Sequence, residues 1–252
     1  MRITEATYRS LAEHRMMEFL EKGRVWLVNR FGKIITYRKL PASAIDELIR
    51  QSYQWTETQK VPDQLLAIHI ASARLCLGSF FMEDVRYTEL RKIVEHYISA
   101  KTSPQDEPIP AYLIAHKDDW SVDWLSEHYK HSWGPDTPHC IIPQYHNAWL
   151  GSGQIFTRLY TVEKRTAFSP TGELYENIYR QLMASARLAL SRYESGGQAE
   201  VLLAVAQYYD GFRCFDDPLR PRWYGCLNLG QQEHAYWRLL DIFTKTAQEN
   251  RR

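Results

Sequence analysis

Between Gln64 and Phe81 the chain is apolar on nearly every side of a helix, with Leu65, Leu66, Ile68, Ile70, Leu75 and Leu77 interleaved by small residues. A helix that is hydrophobic all round must be buried, so this segment is expected at the centre of the core. His69, Ser72, Arg74 and Ser79 interrupt the run from Leu65 to Met82. Those residues would be costly in lipid, so the run reads as a core element and not as a membrane span.

Around that element the 252 residues suit one large domain, or two small units that share a core. Lys101-Thr-Ser-Pro-Gln-Asp-Glu-Pro-Ile-Pro110 is the clearest linker. It suggests a single domain over 1–252 with a subdivision into 1–100, a helix–hairpin–helical unit, and 111–252, a mixed unit.

Hydrophobic spacing predicts an amphipathic helix from Thr4 to Lys22, with Gly23 placed to stop it. Arg24 to Lys39 reads as two β-prone runs around Asn29-Arg30-Phe31-Gly32, a hairpin. Helices are then expected after Ser43, over Gln64–Phe81 and over Tyr87–Ile98. A short strand is read at Ala111–Ala115, a helix at Trp120–His131, and a β-like run from Gln154 to Phe168. Ser169-Pro170 opens a helix that Gly196-Gly197 ends. Ala199–Tyr209 and Gln232–Gln248 complete the set, separated by an irregular loop from Asp210 to Gly230. The expected fold is α+β and predominantly helical, an N-terminal helix plus β-hairpin and helices packed against a C-terminal mixed α/β unit.

The formal net charge is +1, so any attraction to nucleic acid or anionic lipid must come from a local patch. The charged N-terminus lacks the apolar core of a signal peptide. Cys76, Cys140, Cys214 and Cys226 form no C-x-x-C pair, which argues against a zinc ribbon and against a secreted disulfide framework. A cytoplasmic location with reduced thiols is expected, without a membrane. Arginines outnumber lysines by 21 to 10, and there are sixteen tyrosines and eight tryptophans. Arg, Tyr and Trp are enriched at interface hot spots, which tilts the reading towards a binding surface.

Two segments concentrate chemistry. Five of nine histidines and four of eight tryptophans lie between 116 and 149. Trp120, Trp124, His128 and His131 share one helical face. With His139 and His146 from the following loop, and His116, Cys140 or Asp123 nearby, His128 and His131 are candidate ligands for zinc or another divalent metal in a hydrolase. The spacing Glu127-His128-Tyr129-Lys130-His131 does not make an H-E-x-x-H pair, and a packed face explains the same pattern without any cofactor.

The second segment, Lys22–Lys39, holds six basic residues, three aromatics and no acid. Arg24, Arg30, Lys33, Arg38 and Lys39 are candidate phosphate contacts, with Trp26 and Phe31 as stackers on unpaired bases. Arg158, Tyr160, Lys164 and Arg165 have the same flavour, as do Arg213, Arg220, Arg222, Trp223 and Tyr224 in the late loop. Brought together, the three stretches would make a basic aromatic groove on an otherwise neutral protein.

In α-helical sequence, Arg91-Lys-Ile-Val-Glu-His96 carries an arginine and a histidine separated by four residues. That string is similar, in this spacing over six residues, to the motif of ribonucleases of the HEPN class. The resemblance implies an arginine holding phosphate and a histidine handling a proton. Residues five apart lie about 140° apart on a straight helix, so pairing them needs dimerisation or a helix end. The leading expectation is a non-catalytic subunit of a multi-subunit complex that contacts nucleic acid (RNA or DNA), a protein partner, or both. A metal-dependent hydrolase and a HEPN-like ribonuclease are the catalytic alternatives.

Overall fold

The computed structural model describes residues 5–104, 106–132, 172–193, 197–228 and 234–250. Among them the elements are α1 (Glu5–Tyr37), α2 (Ala42–Thr58), α3 (Gln64–Leu77), α4 (Thr88–Ala100), α5 (Pro108–Ala115), α6 (Val122–Ser132), α7 (Gly172–Leu190), α8 (Gly197–Asp210) and α9 (Ala235–Glu249), joined by short 3₁₀ turns. No strand occurs among the described residues, which overturns the α+β expectation and replaces it with an all-helical fold.

The expected hairpin at 24–39 is the second half of α1. Its buried positions are Leu27, Phe31, Ile34, Ile35 and Arg38, continuing Phe19, Leu20 and Gly23. That is a 3.6-residue period, and it outweighs the β preference of the individual Val and Ile side chains. The Asn29–Gly32 turn signal survives only as a kink, with Phe31 at φ −123°, ψ 19°. Gly23 does not stop the helix. A Cβ there would run into Ile68 Cδ1 and come within 3.1 Å of Ile49 Cδ1, so the bare glycine lets α1 close onto α2 and α3. The strand expected at Ala111–Ala115 is α5, opened by Pro108 at a first-turn position where its missing N–H is no loss. The β-like run at 154–168 lies outside the described residues.

Helix α3 occupies the centre, as its apolar surface demands: eleven of its residues from Leu66 to Leu77 are buried. It packs most extensively on α2 and also meets α1 and α5. Asp63 caps its N-terminus by accepting from Leu66 N–H (2.6 Å). In the second half α8 is buried along its whole face from Val201 to Asp210 and packs against α7 and α9. The two apolar helices end beside each other. Gly78, which follows α3 at φ +109°, lies against Gly211, which follows α8 at φ +105°. No helix among the described residues is long and apolar enough to cross a membrane.

Candidate anion-binding cleft

The meeting of the α3 and α8 C-termini creates an electrostatic problem. Each helix end exposes unsatisfied carbonyls and the negative pole of its dipole. Two arginines answer it at α3. Arg38, just past the end of α1, donates to the Leu75 and Cys76 carbonyls. Arg220 donates from Nη2 to the Cys76 carbonyl (3.2 Å) and from Nε to the Asp210 carbonyl at the end of α8. Both guanidinium groups are buried, at 7% and 1% exposure.

Two carboxylates lie beside them. Asp217 accepts from Ser79 N–H (2.9 Å), Ser79 Oγ (2.7 Å) and Leu219 N–H (3.0 Å), and stands 3.8 Å from Arg220. It is the turn residue of Asp216-Asp217-Pro218, and it ties the segment after α3 to the late loop. Asp210 accepts from the Tyr129 hydroxyl and from Trp223 Nε1 (2.7 Å). Burial opposes its ionisation, but Arg222, Arg38 and Arg220 outweigh that, and its carboxyl is held below the ordinary range. Arg38 is less well served. Burial, with the like charge of Arg220 beside it, brings its guanidinium down to about 9, and its Nε has no hydrogen-bond partner among the described residues.

Over these groups opens a cleft of about 430 Å³ between the end of α1, the Arg220–Cys226 stretch and one face of α9. Arg38, Lys39, Arg220, Arg222, Arg238 and Lys245 line it, against the carboxylates Asp210, Asp241 and Glu249. The surplus of three positive charges exceeds the +1 of the whole chain. Arg222 lies over the rings of Tyr37 and Tyr129, 5.4 Å from each centroid, and reaches Glu249 at 3.4 Å. Glu249 also meets Lys39 (3.6 Å), and Lys245 pairs with Asp241 (2.7 Å). Arg238 makes no ion pair among the described residues. Tyr224, 55% exposed, offers an open aromatic face at the edge.

Of the basic stretch expected at 24–39, only Arg38 and Lys39 reach this cleft. Arg24 pairs with Asp46 (2.8 Å). Arg30 pairs with Glu107 and stacks 4.5 Å over Trp26. Trp26 is half-buried against His69, Phe31 is buried edge-on to Trp120, and Lys33 is exposed. From the late loop Arg220, Arg222 and Tyr224 converge on the cleft, while Trp223 supports it from below. Arg213 turns away: it pairs with Asp216 (2.9 Å), lies over Phe80 and lines a separate cavity of about 820 Å³. Arg158, Tyr160, Lys164 and Arg165 lie outside the described residues. Arg238 and Lys245 escaped the sequence reading, although with Glu249 they recur on one face of α9 at helical spacing.

The other candidates take the following positions. His116 stacks on Tyr112 with 4.0 Å between centroids, and its Nδ1 engages the Tyr112 carbonyl (2.9 Å). His128 and His131 are carried by α6, but their side chains, like His139, Cys140 and His146, are outside the described set. Among the described residues no three His, Cys, Asp or Glu side chains are grouped to hold a metal ion. Arg91 donates to the Met82 carbonyl (3.4 Å), and His96 is exposed edge-on to Tyr97. Helix α4 runs unbroken through both, so no helix end brings them together within one chain. Comparison with protein-family models, with curated proteins and with solved structures gives no match to this chain.

Proposed function

We propose that the protein is a non-catalytic binding component that holds single-stranded nucleic acid in the basic cleft. The observation that carries this reading is the convergence of Arg38 and Lys39 from the turn after α1, Arg220 and Arg222 from the late loop, and Arg238 and Lys245 from α9 on one concavity. Phosphate backbones are bound through such clusters, with counterion release supplying much of the affinity. Tyr224, exposed at the edge, adds a face on which an unpaired base can stack, a contact tolerant of sequence. The reading needs neither a metal nor a catalytic pair.

The test is fluorescence anisotropy with a labelled 12-nucleotide single strand, RNA or DNA. Three rim cations on three phosphates give a slope of log K against log salt near −2, or roughly a 20-fold loss of affinity between 50 and 200 mM salt. The double substitution Arg238→Gln, Lys245→Gln lowers affinity at 50 mM salt and flattens that slope by about one unit or more. No binding at 50 mM salt, or binding that the double variant leaves unaltered, overturns the proposal.

A further inference from the structure

The cleft is graded in depth. Lys39, Arg238 and Lys245 are exposed at its rim, whereas Arg38 and Arg220 lie at its floor almost wholly removed from solvent. Arg222, mostly buried, stands between the two levels. At the floor the guanidinium groups of Arg38 and Arg220 face two carboxylates, Asp210 and Asp217, while Arg222 above them reaches Glu249 at 3.4 Å. Both carboxylates are already engaged, by Tyr129 and Trp223 in one case and by Ser79 and Leu219 in the other. The Arg38 Nε, buried in the floor, has no acceptor among the described residues. A buried charged donor without an acceptor is costly, and an oxygen of an anion seated at the floor removes that cost.

The anion must reach the floor. A phosphodiester inside a strand carries one negative charge and has a sugar on either side, so it is held at the rim. A phosphomonoester ends its molecule, carries about −1.5 to −2 charges at neutral pH and offers three strong acceptor oxygens. It can enter end-on. The cavity, at about 430 Å³, lies in the lower part of the range for small-ligand pockets, a size suited to one terminal nucleotide, with the rest of a strand running along the rim.

We propose that the floor of the cleft is a seat for a phosphomonoester, the terminal phosphate of a nucleic-acid strand or the same group on a free mononucleotide. Arg222, with Arg38 and Arg220 behind it, takes the phosphate, and Tyr224 flanks the attached base. This rests on the reading of the cleft as a nucleic-acid interface and adds end recognition to it.

The experiment compares 12-nucleotide single strands bearing a 5′-phosphate, a 3′-phosphate or hydroxyls at both ends, with a nucleoside 5′-monophosphate and its parent nucleoside as competitors. A strand phosphorylated at one end binds the native protein at least tenfold more tightly than the hydroxyl strand. The monophosphate displaces it and the nucleoside does not. Arg222→Gln, with its helical circular dichroism retained, removes the tenfold preference while keeping residual salt-dependent binding. Equal affinity for all three strands overturns the phosphomonoester seat and leaves the nucleic-acid reading standing. Binding of the monophosphate with no binding of any strand keeps the seat and removes the strand reading. Binding of neither removes both.

Discussion

Asp210 is where charges from three stretches of the chain meet, and its replacement tests how far that buried charge set stabilises the fold. In Asp210→Asn the Tyr129 and Trp223 donors keep an oxygen to bond. The guanidinium groups of Arg38 and Arg220, however, lose the carboxylate that offsets them. Removing one partner of a buried charge set costs about 3–5 kcal/mol, and urea denaturation at pH 7 should show a loss of that size. His69 makes the complementary case. It is fully buried beside Trp26, with no hydrogen-bond partner on either ring nitrogen among the described residues. Burial brings its pKa down to about 4, with Glu107 and Asp63 pulling upward and Arg30 downward. The folded chain therefore binds the proton less readily than the unfolded chain, whose histidine titrates near 6.5. The stability this confers is whole above pH 6.5 and falls away as pH drops from 6.5 towards 4. At about 1.4 kcal/mol per pKa unit the loss is roughly 3 kcal/mol. His69→Leu should flatten the urea midpoint across that window; an unchanged acid decline would show that His69 is not its source. Asp210 acts lower on the scale: with its carboxyl held below 3.8, its share is present above that value and is lost only as pH falls further.

At the scale of elements, the junction of α3 with α8 is the most constrained. A Cβ at Gly211 would collide with the Leu77 carbonyl, and the φ of +105° is itself unfavourable for any side chain. Gly211→Ala should thus cost about 2–4 kcal/mol through both strain and the displaced helix end. Chemical denaturation checks this, and a loss under 1 kcal/mol would mean that the two helix ends can part without penalty. Most helices were legible from periodicity: α3 begins at Gln64 as expected, and the expected 87–98 and 120–131 helices correspond to Thr88–Ala100 and Val122–Ser132. Helix α1 was not legible as one element. Gly23 reads as a stop and Asn29–Gly32 as a turn, because local signals carry no information on what packs opposite. The contact of Gly23 with Ile68 and Ile49 gives the first glycine a different purpose.

Across the whole molecule, the near-neutral charge hides a partition. Two of the six cations that line the cleft lie on α9, where Arg238 and Lys245 alternate along the sequence with Asp241 and Glu249. Long-range bonds hold the two halves of the chain together: Ser79 to Asp217, Cys76 to Arg220, Arg86 to the Gln207 and Tyr208 carbonyls, and Val85 to Gln181. Limited trypsin cleavage after Lys101, which is exposed with φ 51°, should leave fragments that co-elute on size exclusion at neutral pH and separate in 6 M urea. Fragments that separate without denaturant would show that the bonds across this joint are too weak to hold the halves. Sequence by itself determined α3, α4, α6, α8 and α9 as helices, because hydrophobic periodicity is a local property. It also marked Arg38, Lys39, Arg220 and Arg222 as unusual. That 24–39 is helix and not hairpin, and that these cations share one cavity with α9, was decided only by tertiary packing: the helix ends that need their charge come from opposite parts of the chain, and no local pattern records which ends will meet.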